Sequence, residues 1–536
     1  MSGTSLRLQG LARFRGWAGF AALALLAGAP RGAVAGLPEL ERCLDRFDLA
    51  CAVEERAALR GEAAERADLW IAFHRGDYAA VEGILDRWGD RADQLEGSEE
   101  GVPYRATAES SRGMVELRGA GVSVRTASGI DLILAEEAVE TLSAARSTYD
   151  RLFGGGPKHD IVLDIFPTAT RFIGASGLPP ESVRTTGVIA LSKWTRLLLT
   201  SPRALARGYA WKDTVSHEYI HLVVAYRTQN RAPVWLQEGL AKHLEGAWRG
   251  DMSGRLGAQT EALLAKAVET GEFVPFEKFA RSMAYLDSGE EAALAFGQVA
   301  TMVQLLVERA GPGALPRLMD RVGAGEDAMQ VVAELAGEAD FEAFRSTWVR
   351  WLSAQPLVAA HLGSAPVVLD GGGDEAASDP LLAGRPDLAR FYRLGDLLRE
   401  AGRPKAAMIE YAKAMDETGP ASPLLLARQA ECLEALQRPA EALQQVDEGL
   451  RLYPEHALLQ KTRGRLLSAR GDPRALAAYK AAHDLNPYDL DVQKALSTLY
   501  ARAGRTAEAA RHLRYVRIIE SGGATRAAVP VAPPAQ

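Results

Sequence analysis

The 536-residue sequence lacks the features that mark several protein classes. Charge of neither sign dominates, because 62 Lys and Arg stand against 69 Asp and Glu, a net charge of -7. This balance argues against a nucleic-acid partner, since binding to phosphate needs a basic surface. After the first 35 residues, no apolar run is long enough to predict a transmembrane helix. Three cysteines are too few for a disulfide-rich scaffold. What remains is the composition of an ordinary globular protein.

The first 35 residues have the organisation of a signal peptide. Arg7, Arg13 and Arg15 precede an uncharged, mostly apolar run from Trp17 to Ala29, and Ala33-Val34-Ala35 provides small residues for cleavage. We therefore predict export to the periplasm or the exterior of a bacterial cell, with cleavage after Ala35. A membrane attachment is expected only if this segment stays uncleaved.

Two of the three cysteines lie near the predicted mature N-terminus. A straight helix would separate Cys43 and Cys51 by about 12 Å, too far for a disulfide. A bridge between them requires a turn, for which 45–49 is the candidate, and the sequence leaves both outcomes open. Cys432 lies within a helical repeat, where a small core residue is expected.

Composition and periodicity divide the chain into six regions. The fold class is predicted to be α+β, mostly helical, with a small mixed sheet in the central part. The predicted regions are a signal peptide (1–35), a helical tetratricopeptide-like segment (36–100), a mixed domain (104–352), a flexible linker (353–385), helical repeats (386–520) and a disordered tail (521–536).

The predicted repeats have a period close to 34 residues. Turn residues begin at 402, 437, 471 and 504, at spacings of 35, 34 and 33 residues, and small residues follow each turn. This pattern resembles the tetratricopeptide repeat, in which stacked helical hairpins bury a continuous core. The resemblance implies a protein partner bound through the repeats.

The central domain contains the motif His217-Glu218-Tyr219-Ile220-His221. On a helix, residues four apart share one face, so both imidazoles can reach one cation, and zinc accepts neutral imidazole. Glu218 is turned about 100° away from His217 and can act as a general base. Glu238 lies 17 residues after His221 in a second predicted helix and is the predicted third ligand. Asp213 or Thr214 is expected to cap the first helix or to orient a ligand imidazole.

The motif and the run Trp235-Leu236-Gln237-Glu238-Gly239-Leu240-Ala241 resemble the gluzincin metallopeptidases, and most closely the bacterial peptidase MA-like domains. The resemblance covers roughly 105–352. It implies one zinc ion per chain held by His217, His221 and Glu238, with Glu218 as general base in hydrolysis of a peptide or protein substrate. It also implies that 187–192 forms an edge strand that binds extended substrate.

The sequence departs from the better-known relatives at a few positions. Lys242 stands where thermolysin-like enzymes carry an Asp four residues after the ligand Glu, and Phe296 stands where many relatives carry Tyr. Tyr285 is the candidate for stabilising the oxyanion of the transition state. His243 is either a rival ligand or a surface residue. The alternative function is therefore an inactive metallopeptidase-like scaffold whose repeats bind protein partners in the cell envelope.

Overall fold

The computed structural model of the chain describes residues 37–96, 102–181, 183, 187–254, 256–279, 286, 288–357, 369, 375–415 and 421–523. These residues are mostly helical with a small mixed sheet of five strands, which confirms the predicted α+β class. The predicted signal peptide and Tyr285 lie outside the described residues. Among the described helices, none is both long enough and apolar enough to cross a membrane.

In the part of the chain that the structure describes, six helices precede the sheet. They are α1 (Leu37–Asp45), α2 (Leu49–Arg56), α3 (Gly61–Arg75), α4 (Tyr78–Trp88), α5 (Asp90–Glu96) and α6 (Tyr104–Ser111). The chain turns between α1 and α2, where Asp48 accepts a hydrogen bond from the backbone N–H of Cys51 at 3.0 Å. This turn brings the Cα atoms of Cys43 and Cys51 to 5.6 Å, and the two residues form a disulfide.

The five strands are ordered β1-β2-β3-β5-β4. They are β1 (Met114–Gly119), β2 (Val122–Ala127), β3 (Ile161–Phe166), β4 (Ala190–Lys193) and β5 (Arg196–Thr200). The predicted hairpin is antiparallel β1–β2, whereas β3 runs parallel to both β2 and β5. Every residue of β3 and β5 is buried, which is consistent with their mostly apolar sequences. Strand β4 pairs antiparallel with β5 and forms the last strand of the sheet.

A buried carboxylate joins the N-terminal helices to this sheet. Asp164 on β3 is fully buried and accepts hydrogen bonds from Arg125 Nε on β2 and from the Tyr78 hydroxyl on α4, each at 2.6 Å. The fully buried Arg196 on β5 donates to the same tyrosine hydroxyl, and its guanidinium lies 4.5 Å from the centre of the Phe73 ring. Helices α3 and α4 are therefore packed on the sheet by paired charges and aromatic rings.

Among the described residues, ten helices build the rest of the central region. They are α7 (Leu132–Leu152), α8 (Ala169–Ser176), α9 (Trp211–Arg227), α10 (Val234–Leu244), α11 (Ala258–Thr270), α12 (Phe276–Phe279), α13 (Gly289–Ala310), α14 (Ala314–Gly323), α15 (Ala328–Leu335) and α16 (Phe341–Ser353). One continuous apolar core includes side chains from α7, β2, β3, β5 and the helices from α9 onward.

The C-terminal end of the predicted flexible linker (353–385) is packed. Residues 375–385 are packed against the first repeats, and their Leu381 and Leu382 lie in an apolar core with Tyr392. Asp379 is fully buried and accepts hydrogen bonds from Ser422 Oγ at 2.8 Å and from the backbone N–H of Leu381 at 2.9 Å. The prediction of a flexible linker was wrong for 375–385, because apolar packing and the hydrogen bonds of Asp379 hold a segment that has no helical periodicity.

Four helical hairpins follow, as the repeat pattern predicts. They are α17 (Pro386–Glu400) with α18 (Pro404–Ala414), α19 (Pro423–Ala435) with α20 (Pro439–Leu452), α21 (Ala457–Ala469) with α22 (Arg474–Leu485), and α23 (Leu490–Arg502) with α24 (Thr506–Glu520). Glycines allow close approach within hairpins, since a Cβ on Gly464 would lie 2.8 Å from the Tyr479 ring. Cys432 is a buried free cysteine, as expected.

The repeats are in direct contact with the central domain. Tyr515 and Ile518 on α24 belong to the apolar core that contains α7 and α9. Next to this contact, Lys212 Nζ on α9 lies 2.5 Å from Glu137 on α7 and 2.7 Å from Asp484 on α22. His483 Nε2 lies 2.9 Å from Glu137. We refer to Glu137, Lys212, His483 and Asp484 as the junction cluster.

Candidate metal centre

Helix α9 (Trp211–Arg227) carries the motif and is almost entirely enclosed. Its apolar face, with Val215, Tyr219 and Leu222, is fully buried. Helix α7 contacts α9 directly before the motif, because the Tyr149 hydroxyl lies 2.6 Å from Ser216 Oγ. The same hydroxyl donates to the backbone oxygen of Leu244, at the end of α10, at 2.7 Å. One tyrosine thus connects α7 to both helices of the candidate centre.

Helix α10 (Val234–Leu244) brings Glu238 to the motif. Trp235 is buried at its start, with its ring 5.5 Å from the ring of Phe276. Gly239 follows Glu238, and a Cβ at this position would lie 2.7 Å from the backbone oxygen of Val299 on α13. The glycine is therefore needed for close packing of α10 on α13, which determines where Glu238 stands.

The predicted ligands converge in space. His217 Nε2 and His221 Nε2 are 3.2 Å apart, and they lie 3.6 and 3.5 Å from the Glu238 carboxylate. The three ligand atoms lie within 4.8 Å of one another. Two imidazole nitrogens and one carboxylate oxygen are a donor set that suits zinc and leaves a fourth position open. The structure thus brings together the residues that the motif and its spacing predict.

The charges of the centre support one another. Burial lowers the pKa of His217, but hydrogen bonds to Glu238 and Glu245 and the nearby carboxylate charges outweigh it and raise the pKa to about 10. Burial raises the pKa of Glu238, and the opposing effect of His221 and His217 is larger, so the net shift is strongly downward. In the absence of an ion, a proton on His217 therefore balances the buried Glu238 carboxylate.

Glu218 lies next to the predicted ligands with only 8% of its surface exposed. Burial is the main cause that raises its pKa, and the carboxylate of Glu238 adds to the increase. The imidazoles of His221 and His217 and the backbone N–H of Ser192 on β4 act in the opposite direction. A buried carboxylate with a raised pKa takes up a proton more readily than an exposed one, as a general base must.

The partner of His217 differs from the sequence-based expectation. His217 Nδ1 lies 3.1 Å from Glu245 Oε2, a residue that directly follows α10. The predicted role of Asp213 was wrong, because Asp213 accepts hydrogen bonds from Trp248 Nε1 at 2.9 Å and pairs with Arg249 at 2.7 Å. Thr214 does not cap α9 either, since its hydroxyl donates to the backbone oxygen of Ala210.

His243 is neither a ligand of this centre nor a surface residue. It is 4% exposed on α10, and a Cβ on Gly254 would lie 2.1 Å from its Nδ1 atom. Burial lowers its pKa to about 4. This close contact could not be predicted from the sequence, because Gly254 belongs to an irregular segment without a pattern of its own.

A second group of possible ligand atoms lies in the junction cluster. Glu137, His483 and Asp484 have their ligand atoms within 4.8 Å of one another. The ammonium group of Lys212 lies between Glu137 and Asp484, however, at 2.5 and 2.7 Å. A lysine therefore supplies the positive charge that these carboxylates need, and no ion is required there.

Comparison with known proteins assigns the domain that holds the candidate centre. The family model described as "Peptidase MA superfamily" matches residues 144–354, so this part of the chain is a Peptidase MA superfamily domain, as predicted. No curated protein matches the chain.

Solved structures similar to this chain each cover about a quarter of it. One structure of MamA is 16% identical over 26% of this chain and 81% of that chain, with a TM-score of 0.21. A second MamA structure is 17% identical over 28% of this chain and 83% of that chain, with a TM-score of 0.23. YrrB, titled "a TPR protein with an unusual peptide-binding site", is 19% identical over 25% and 69%, with a TM-score of 0.21.

Proposed function

We propose that this chain is an exported zinc-dependent metallopeptidase that holds one zinc ion per chain. The observation that carries the proposal is the convergence of His217 Nε2, His221 Nε2 and a Glu238 oxygen within 4.8 Å, beside the buried Glu218. Membership of residues 144–354 in the Peptidase MA superfamily supports a peptidase-like hydrolase. Zinc itself is inferred from the donor set.

Each residue of the centre has a defined task in this proposal. His217, His221 and Glu238 hold the ion, which when bound supplies Lewis-acid activation of water and of the scissile carbonyl. Glu218 takes a proton from the attacking water and delivers it to the leaving amine. The raised pKa of Glu218 favours both transfers, because the group must accept and then release the same proton.

Strand β4 (Ala190–Lys193) is the proposed binding edge for an extended peptide. It pairs with β5 on one side and is the last strand of the described sheet on the other. An edge strand of this kind offers backbone groups to an added strand. Ser192 lies in this strand and its backbone N–H favours the charged form of Glu218, so a peptide bound along β4 would lie near the general base.

The disulfide between Cys43 and Cys51 supports export. Disulfides persist in oxidising compartments and are rare in the cytosol. This pair lies directly after the predicted cleavage site at Ala35. We therefore assign the mature protein to the periplasm or the exterior.

The repeats are the proposed surface for recruiting a substrate or a protein partner. Stacked hairpins of this type commonly bind peptides along one face. The alternative function is an inactive scaffold whose repeats bind partners in the cell envelope. The replacement of the usual Asp by Lys242 and the presence of Phe296 at a position often occupied by Tyr favour this alternative.

Two measurements on the mature chain (36–536) separate these functions. Elemental analysis should give about one zinc per chain in the wild type and in Glu218→Gln, but much less in Glu238→Ala. Hydrolysis of a quenched fluorescent peptide library should occur only in the wild type and in the control Glu269→Gln, whose side chain is exposed on α11. Zinc without hydrolysis would favour the scaffold, and a zinc-free wild type after incubation with zinc would refute the proposed centre.

A further inference from the structure

The two ring nitrogens of His217 face different partners. Its Nε2 atom points to the side of His221 and Glu238, at 3.2 and 3.6 Å. Its Nδ1 atom lies 3.1 Å from Glu245 Oε2. A neutral imidazole carries one proton, so Nε2 can ligate an ion only when that proton is on Nδ1. A carboxylate at Nδ1 selects this tautomer by accepting its hydrogen bond.

Glu245 is itself held by a second residue. Its other oxygen, Oε1, lies 2.6 Å from Lys242 Nζ, one helical turn earlier on α10. The side chains of Glu245 and Lys242 are 23% and 33% exposed, so both are partly shielded from water. The carboxylate therefore bridges two donors, an ammonium group on one side and an imidazole N–H on the other. Such a bridge limits the rotation of all three groups.

We infer that Glu245 is the positioning residue of the metal centre and that Lys242 fixes Glu245 in place. This inference rests on the proposed zinc function. It also explains a departure in the sequence. Position 242 carries Lys where related enzymes carry Asp, and the carboxylate is supplied instead from position 245, at the end of the same helix. Asp213, four residues before His217, contacts Trp248 and Arg249 instead.

The test measures zinc affinity rather than activity. Metal-free wild type, Glu245→Ala, Glu245→Gln and Lys242→Met would compete for zinc with a chromogenic chelator at pH 7.5. Loss of an outer partner of a ligating histidine typically weakens metal binding by about 10–100-fold, and we expect this for Glu245→Ala. Glu245→Gln and Lys242→Met should lose less, because an oxygen that accepts from Nδ1 remains in both.

A spectroscopic measurement separates orientation from general damage. Cobalt would replace zinc in each variant, and its visible absorption reports the geometry of the ligands. We expect altered spectra for Glu245→Gln and Lys242→Met, and an unchanged spectrum for the exposed control Glu269→Gln. Thermal unfolding of the metal-free proteins shows whether each variant is folded. Glu245→Gln and Lys242→Met, which nearly preserve side-chain volume, carry the test if Glu245→Ala does not fold.

The outcomes distinguish this inference from the proposed function. A wild type that binds no zinc would overturn the zinc centre and the positioning role together. A wild type that binds zinc, with Glu245→Ala within twofold of its affinity, would overturn the positioning role and leave the centre intact. If only the two conservative variants can be studied, wild-type affinity and unchanged cobalt spectra in both would equally overturn it.

Discussion

Replacing Lys212 with Met tests whether buried ion pairs stabilise the contact between the repeats and α9. The Lys212 side chain is 13% exposed and that of Glu137 is 6% exposed, and their charged atoms are 2.5 Å apart. Asp484 on α22 lies 2.7 Å from the same ammonium group. Met preserves most of the volume of Lys and removes only its charge. The substitution therefore leaves Glu137 buried with His483 as its remaining partner.

The expected loss of stability follows from this burial. Breaking a buried ion pair from one side costs about 3–5 kcal/mol, because the other charge is left uncompensated. Because Glu137 keeps its contact with His483, at 2.9 Å, we expect a loss of stability at the lower end of this range, about 3 kcal/mol. The double variant Lys212→Met with Glu137→Gln should lose less than the two single variants together, since it leaves no isolated charge.

The chain provides a matched control for this experiment. Lys480 on α22 contacts the other oxygen of Asp484, also at 2.7 Å, but its side chain is 58% exposed. An exposed pair contributes only about 0–1 kcal/mol, so Lys480→Met should unfold almost as the wild type does. The assay is urea denaturation at pH 7.5, followed by tryptophan fluorescence and far-ultraviolet circular dichroism. Coincident transitions by the two probes are required before a free energy is extracted.

The pH dependence gives an independent check on the same pair. Burial raises the pKa of Glu137, but His483 and Lys212 outweigh this and hold it well below its ordinary value of 4.5. A carboxyl group with a lowered pKa stabilises the fold above its unfolded-state pKa and loses that contribution as the pH falls towards the folded-state value. The difference between wild type and Lys212→Met should therefore shrink below about pH 4.5. A Lys212→Met variant as stable as Lys480→Met at pH 7.5 would refute the reasoning.

Three further predictions concern the rest of the molecule. Gly239→Ala should lower the free energy of unfolding by about 1–3 kcal/mol, because the new Cβ would lie 2.7 Å from a backbone oxygen. Thermal unfolding measures this loss, with Gly313→Ala as the control, since a Cβ at Gly313 would have no atom within 4 Å. Zinc affinity should weaken by up to about tenfold for each pH unit from pH 8 down to pH 6, because zinc must displace the proton that His217, with its raised pKa, still carries in this range. A zinc affinity that does not change with pH in chelator competition would contradict this. Reduction of the Cys43–Cys51 disulfide should destabilise helices α1 and α2 by about 2–3 kcal/mol, seen as faster proteolysis near the N-terminus, while equal rates would refute it.

The parts of the fold that follow local patterns were predictable from the sequence. The strand pair β1–β2 and the buried strand β3 were visible as alternation and as an apolar run. The four hairpins of the repeats were visible through their period. The placement of His217, His221 and Glu238 was predictable because a spacing of four fixes the first two on one helix face, and the spacing to Glu238 suits an antiparallel return.

The parts that depend on contacts between distant segments were not predictable. Glu245 carries no motif, and only the end of α10 reveals that its carboxylate reaches His217. Asp213 lies four residues before His217, a spacing that suits a contact with that imidazole. In the structure Asp213 instead contacts Trp248 and Arg249, more than thirty residues later in the chain. The packed segment 375–385 looked like a linker because it has no periodic apolar face. The hydrogen bonds of the buried Asp379, which no sequence pattern indicates, help to hold this segment in place.

The contacts of the repeats imply that they belong to the folded unit of the peptidase domain. A tethered module is joined by an exposed segment and makes few contacts with its neighbour. Here Tyr515 and Ile518 lie in the core that encloses α9, and Asp484 contacts Lys212, five residues before His217 on that helix. The repeats are therefore held at a fixed position relative to the candidate metal centre. Because α9 carries both the junction contact and two predicted ligands, a displacement of the repeats would act on the ligands through one helix.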